Sequence, residues 1–580
     1  MGAQERRRAA LAAAGKAAFD LVICHARLVN VFTGEIYPAH IGVAAGLVAA
    51  VLPGDGPVPD AEQVVNAEGR YAVPGLIDSH LHVESSMVLP PAFAAALVPR
   101  GILTIVADPH EIANVMGLAG IRLFVEAGRG LPLDCFWQVP SCVPASPLET
   151  AGAAIGPDEV EELLRWPEMI ALGEVMDFPG VIAQTGRTAE ILSRAVELGA
   201  IIEGHAPNLT GRELSAYVTA GVNSDHTLVT PELALERLRA GVTLQLQYKS
   251  LSPETLRTVE AAAKSLNLCL VTDDVLPDDL DSTGHLDHIV RTAVARGLSP
   301  VEAIRASTLA PARRMRLYDR GAIAPGLLAH IVLTRSLEDF RAELVFHRGR
   351  LVAQDGRLVV DLPAFTVPAE AFQTVRLDPP GPETFAVPVS GAAAAVRVRV
   401  MALSRKTTYT AAEVHEVPAA DGRLQWEAAG LCLAAVFERH GRAGTRGYGL
   451  LRHALERGAV ASTWAHDSHN LLVVGRSAGD MAAAARWVVE HGGGMAAALD
   501  GAVIAAVHLP VGGIVSPRSV NEVAAEVREF RAALARLGFS HPNPFMALGA
   551  LTLAVSPELK VTDKGLVDVQ RGEIVDLFVA

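Results

Sequence analysis

Hydrophobic and polar positions along this chain follow two rhythms. Between residues 19 and 72, short alternating runs at 20–24, 41–51 and 63–66 are cut by turns and read as strands. The same rhythm returns at 331–334, 342–345 and 350–352. Neither piece holds enough strands to be stable alone. The pair therefore predicts one composite β domain, residues 1–72 with 320–362, with two unrelated β caps as the alternative. In between, residues 73–319 alternate strand and helix. Eight strand candidates (76–82, 101–108, 133–141, 169–176, 201–205, 221–226, 242–248 and 268–273) are separated by helical stretches such as 188–198, 231–240 and 253–266. Eight βα units of this combined length predict an α/β fold, a (β/α)8 TIM-type barrel over 73–319, with a doubly wound open sheet as runner-up.

Six prolines within residues 363–389 predict a linker. Beyond it, residues 390–580 mix strands (396–400, 471–474) with alanine-rich helices (480–490, 520–537), a separate C-terminal α/β domain. At the start of the chain, Arg6, Arg7 and Arg8 precede an alanine-rich run, but Lys16 and Asp20 interrupt it, so a helical lead-in is expected rather than a signal peptide. No uncharged apolar run reaches the roughly 18 residues a membrane span needs, and no membrane partner is expected.

Composition narrows the function. Half the residues are hydrophobic and 20% are charged, which excludes a disordered, collagenous or coiled-coil chain. A net charge of −14 argues against nucleic acid as a partner. Five scattered cysteines without a Cys-x-x-Cys pair argue against a disulfide framework or thiolate zinc site, and suit a cytoplasmic protein.

The candidate chemistry sits at the strand ends. In Leu76-Ile77-Asp78-Ser79-His80-Leu81-His82, alternate residues share a strand face, so His80 and His82 point the same way. A pair of surface histidines on a loop is the plain alternative. Glu174, His205, His226 and Asp273 end four further strand candidates, and a barrel gathers them at one mouth. Imidazoles with carboxylates and no thiolate suit divalent zinc, manganese or iron. A carboxylate such as Glu174 can bridge two cations, which together bind hydroxide and lower its pKa. Asp108, His110 and Glu111 follow the second strand and either contact substrate, brace the ligands, or cap a helix at capping-box spacing. Glu84 in Val-Glu-Ser-Ser is a further candidate. In the distal domain, His466, Asp467 and His469 form a dense polar cluster that suggests a contribution to the site or an additional metal. His285 and His288 read as one solvated or packing face of a helix.

These segments resemble the amidohydrolase superfamily and, within it, the bacterial adenine deaminases. The resemblance rests on Pro74 to Met87, Ala107 to Gly117, Pro140 to Pro144, Glu203 to Pro207, Ser224 to His226, Thr272 to Leu280, Gly284 to His288, Ala465 to Asn470 and Thr562 to Leu566. It implies hydrolytic deamination of adenine to hypoxanthine and ammonia by a metal-activated hydroxide, in purine salvage. It also implies two divalent metals per site, manganese or iron with zinc an alternative, held by His80, His82, Glu174, His205, His226 and Asp273. Asp273, Glu174 and His205 are the catalytic candidates, with Asp273 as the proton carrier. Asp274 is a candidate contact to a purine ring nitrogen or a helix N-cap, and Asp108, His110, Glu111 and Glu84 are further substrate-side candidates. A homodimer or higher homo-oligomer is expected.

Three positions depart from the family pattern. Thr227 stands where a glutamate is usual, the seventh strand ends in Gln247-Tyr248-Lys249-Ser250 instead of an arginine-containing segment, and His330 replaces an aspartate. Two alternatives stay open: a cyclic-amide hydrolase of the hydantoinase or dihydroorotase kind, and a weakened paralogue that binds metal or ligand.

Overall fold

The computed structural model describes residues 2–579 apart from 265 and 392. Its centre is the barrel. The strands are β1 (Leu76–Leu81), β2 (Ile102–Ala107), β3 (Asp134–Val139), β4 (Met169–Val175), β5 (Ile201–Gly204), β6 (Ser224–Asp225), β7 (Thr243–Leu246) and β8 (Leu268–Leu270). Every paired neighbour is parallel. Strands covered on both faces tend to near-continuous apolar runs, and β2, apolar but for Thr104, is buried at all its positions. The helix expected over 253–266 is Pro253–Lys264; position 265 lies outside the described residues.

The ladder breaks into two arcs, β1 to β5 and β6 to β8. At one seam a single bridge joins Leu81 to Asp273, and the Asp273 N–H donates to the His80 carbonyl at 3.2 Å. Behind it Asp78 accepts the Thr272 hydroxyl at 2.7 Å, tying the two strand ends together. At the other seam, side chains replace the ladder. Ser224 Oγ accepts the Gly204 N–H at 3.0 Å, and Asp225, clamped by Arg237, accepts the Ala206 N–H at 3.2 Å. A Cβ at Gly204 would lie 2.1 Å from the Ser224 carbonyl oxygen, so glycine is required for this approach. Strand β6 is thus only two residues long where 221–226 was expected, because apolar spacing does not report where a ladder ends.

A mixed sheet lies against the N-terminal end of the barrel. It combines strands between residues 19 and 74 with strands between 331 and 358, joined where Tyr71–Pro74 pairs antiparallel with Ile331–Thr334. The strand expected over 41–51 is two, Glu35–Ala44 and Leu47–Pro53. Ala45 and Gly46, both at positive φ, make the turn inside an otherwise unbroken apolar run. The lead-in is helical, Ala3–Ala13. Residues 395–508 build a second large sheet, covered by helices Ala478–Glu490 and Val520–Arg536. In the proline-rich stretch, Phe385 is buried in the core of that domain and Thr374 is bound by Arg439.

This C-terminal unit closes over the barrel mouth. Ser516 exchanges backbone hydrogen bonds with Met87 and Leu89 at 2.8 and 3.2 Å. Arg531 pairs with Asp278 at 2.8 Å, and Asn470 Nδ2 donates to the Thr150 carbonyl at 2.9 Å. Among the described residues, no helix is long and apolar enough to cross a membrane.

Candidate metal centre

Six expected side chains converge at the C-terminal ends of the strands. Glu174, ending β4, stands between two groups of imidazoles. Its Oε1 lies 3.3 Å from His82 Nε2, and its Oε2 lies 2.6 Å from His205 Nδ1 and 3.2 Å from His226 Nε2. Asp273 Oδ1 faces His82 Nε2 at 3.6 Å and His80 Nε2 at 3.8 Å. Asp273 adopts φ +65°, a left-handed conformation rare outside glycine and typical of residues held for function.

Bracing groups fix the ring orientations. His82 Nδ1 donates to the Asp108 carbonyl at 3.0 Å, which leaves the Nε2 lone pair facing the carboxylates. The Asp108 carboxylate accepts the Glu174 N–H at 3.1 Å. A Cβ at Gly173 would lie 2.1 Å from that carboxylate, so the glycine before Glu174 makes room for the brace. The His205 backbone N–H donates to the Tyr217 hydroxyl, which donates to the Val175 carbonyl at 2.8 Å, fixing the chain at the end of β5.

These donors fit a divalent cation pair. His80 is fully buried and neither of its ring nitrogens has a hydrogen-bond partner. Such a group is costly unless something binds it. Burial, with His226 nearby, holds His80 neutral, as a metal ligand must be. Burial disfavours ionised Glu174, yet His226, His205 and His82 bring it well below the usual carboxylate range. Burial likewise lowers His226, but Glu174 and Asp273 raise it to about 9. Protonated imidazoles thus stand where cations would neutralise the same two acids.

The other candidates divide. Asp274 lines the cavity above the centre and accepts the Ser85 hydroxyl at 2.5 Å. It caps nothing: the next helix, Pro277–Ser282, has Leu276 at its N-cap. His110, Glu111, His466 and Asp467 line the same cavity, whose volume is about 320 Å³. No capping box forms at Asp108, since Pro109 is the N-cap of His110–Met116 and no side chain caps it. Glu84 is fully buried behind the mouth and accepts the Ile112 N–H at 3.0 Å, so it holds a helix start instead of facing substrate. His469 is also fully buried, with Nε2 against Glu111. Its Nδ1 accepts the Ala465 N–H at 3.1 Å, so the neutral ring carries its proton on Nε2. Nε2 then donates to Glu111 and has no lone pair for a metal. An additional metal between Glu111, His466 and His469 is therefore not supported. His285 is not on the helix face expected. It is the N-cap of Leu286–Ala295, buried 3.5 Å from Asp78.

Gln247, a departure from the family pattern, has a role the resemblance does not indicate: its Nε2 donates to Asp273 Oδ2 at 2.8 Å and to the His226 carbonyl at 3.0 Å. Its signal was present: a polar residue at the end of an apolar strand, as at Glu174. Arg237, which fixes the Asp225 turn before His226, gave no such signal on its helix.

The sequence matches the amidohydrolase family over residues 71–352 and the adenine deaminase C-terminal domain over residues 407–573. Together these define a metal-dependent hydrolase barrel with a dedicated C-terminal unit. Adenine deaminase of Moorella thermoacetica is 42% identical over 99% of this chain and 98% of its own. Adenine deaminase 2 of Shouchella clausii is 40% identical over 97% of this chain and 99% of its own. The β-aspartyl dipeptidase of Fervidobacterium islandicum, a solved structure, superposes with a TM-score of 0.45 at 17% identity, covering 60% of this chain and 99% of that one. The chain belongs to the adenine deaminase family, within the amidohydrolases. Membership carries with it the use of divalent metal.

Proposed function

We propose that this protein hydrolyses adenine to hypoxanthine and ammonia, a purine-salvage reaction carried out in the cytoplasm. The observation that carries the reading is Glu174, one carboxylate shared by two imidazole groups on the floor of a cavity of about 320 Å³. That volume suits a small planar ligand. Near-full-length likeness to adenine deaminases supports the substrate. A carboxylate at the end of β4, where cyclic-amide hydrolases typically carry a modified lysine, favours the deaminase over that alternative.

His80, His82 and Asp273 would hold one cation, His205 and His226 a second, with Glu174 common to both. Manganese or iron is proposed for the pair, and zinc also fits the donors. Such cations, when bound, supply Lewis acidity and lower the pKa of water toward neutrality. Asp273 then takes a proton as water adds to C6 and returns it to the departing amine. Gln247 occupies Asp273 Oδ2 and so leaves Oδ1 turned to the centre. Asp274 and His110 line the cavity wall and are the proposed contacts to the purine. Five free cysteines, all but Cys135 buried, are compatible with a reducing compartment.

The test supplies protein loaded in turn with manganese, iron and zinc with adenine, other aminopurines and cyclic amides, following ammonia and purine absorbance. Adenine should give ammonia and hypoxanthine in equal amounts. No ammonia from adenine with any of the three metals would end the proposal.

A further inference from the structure

Addition of water to C6 of a purine pushes an electron pair onto the ring nitrogen N1, which needs a proton. Asp273 is already engaged with the water. From the geometry we infer that a dyad shared between the two large domains, Glu111 of the barrel and His466 of the C-terminal unit, delivers that proton; the inference rests on the adenine reading above.

His466 Nδ1 lies 2.5 Å from Glu111 Oε1, a carboxylate–imidazole pair that fixes the ring and aims its other nitrogen. That nitrogen, Nε2, is buried without a hydrogen-bond partner, while the residue lines the cavity with His82, Glu174 and Asp273. Glu111 is kept an acceptor from its other side by His469, which carries its proton on Nε2. His466 is locked from behind as well. Trp464 meets its ring edge-to-face at 4.6 Å, and Thr552 donates to its carbonyl at 2.6 Å. Arg439 in turn anchors the His469 carbonyl. Burial would lower His466, yet Glu111 and Asp467 raise it to about 9, so the ring is a cation able to donate at neutral pH.

The step balances. As the water oxygen bonds to C6, one water proton passes to Asp273 and the His466 Nε2 proton passes to N1, which receives the C6–N1 π pair. In collapse, Asp273 protonates the amino group, the C–N bond breaks, and ammonia leaves with that pair. The hydroxyl proton returns to His466 as the C6 carbonyl forms. N1 keeps its hydrogen, as hypoxanthine requires.

The test uses the full chain loaded with zinc, which is diamagnetic. In the Asp273→Asn protein, bound [1-15N]adenine should show its N1 resonance moved upfield by a hydrogen-bond donor, and the Asp273→Asn/His466→Leu protein, which has no donor at that position, should lose that shift. In manganese-loaded enzyme, His466→Gln should lower kcat about 10²–10⁴-fold with KM and metal content nearly unchanged. His469→Gln, a positioning change, should lower kcat by a smaller factor with KM again unmoved. Thermal melting and metal content of each variant establish folding, and Glu111→Gln provides a second route should His466→Gln not fold. An unshifted N1 resonance, or parental kcat in folded His466→Gln and Glu111→Gln, overturns the dyad while leaving deamination standing. Absence of ammonia from the parent protein overturns the adenine reading instead.

Discussion

At both ends of the barrel, histidines from different strands meet a carboxylate, yet the two clusters are built differently. At the C-terminal ends lie Glu174, Asp273 and their four imidazoles. At the opposite end Asp134 opens β3, with His347 Nε2 at 3.1 Å and His330 Nε2 at 3.6 Å, both from the β domain. Residue types alone do not separate these clusters. Counter-ions do: Asp134 already has Arg320 at 2.6 Å and Arg348 at 3.4 Å, whereas no arginine or lysine ion pair reaches Glu174 or Asp273 among the described residues. Ring orientation does too. His330 and His347 stack at 4.6 Å with planes 21° apart, so their in-plane lone pairs run side by side instead of meeting on one ion. Within the pair proposed for each cation, His80 and His82 stand at 90° and His205 and His226 at 69°, which lets each pair converge. The stacked rings of this cluster, His80 and His226 at 3.7 Å and 20°, belong to different proposed cations. A metal site is defined by charge left uncompensated and lone pairs that meet, more than by the presence of histidine and aspartate.

The sharpest way to break the contrast is to remove the shared carboxylate. Glu174→Ala should strip bound metal, seen by elemental analysis, and reduce ammonia release by about 10⁴-fold or more while the chain stays folded. Asp273→Asn should reduce ammonia release about 10²–10⁴-fold; full activity in a metal-replete protein would remove the proton-carrier role. One shell further out, Asp108→Ala should weaken metal affinity about 10-fold, measured by chelator competition, because it removes the carboxylate that accepts the Glu174 N–H while the backbone carbonyl that holds His82 stays in place.

The opposite cluster should respond in stability alone. Asp134→Asn breaks a buried charge network and should cost about 3 kcal/mol in denaturant unfolding, with metal content and activity per folded molecule unchanged. Its pH dependence has a definite sign. Burial works against the Asp134 anion, but His347, His330 and Arg320 hold its carboxyl well below the ordinary value. The unfolded chain therefore binds this proton first as pH falls. The stabilisation is complete above about pH 5 and drains away through the acid range, and Asp134→Asn should flatten that limb. Metal bound by the Asp134 cluster, or lost activity in the folded variant, would erase the difference between the two ends.

Much of the working end was legible from residue order. A strand period of two puts His80 and His82 on one face, and a (β/α)8 repeat carries Glu174, His205, His226 and Asp273 to one rim, since every strand ends there. The same logic marked Gln247 as unusual but left its role open, because a hydrogen bond to Asp273 depends on how β7 and β8 lie in register. Glu84 and His469 looked like site residues from their neighbours in sequence; burial and partners set them behind it. The turn at Ala45–Gly46 was hidden because both flanking strands are apolar.

Sequence alone determined the barrel and the shared face of His80 and His82, which follow from local periodicity. It also determined the placing of the other metal-type donors at strand ends, which follows from the repeat, and the family, which follows from the resemblance of its motifs. Tertiary structure decided the rest: which carboxylates lack a counter-ion, which ring nitrogen carries the proton, and that Glu111 meets His469 across 358 positions of chain. Those outcomes depend on electrostatics and hydrogen bonding between domains, which act through space and leave no period in the order of residues.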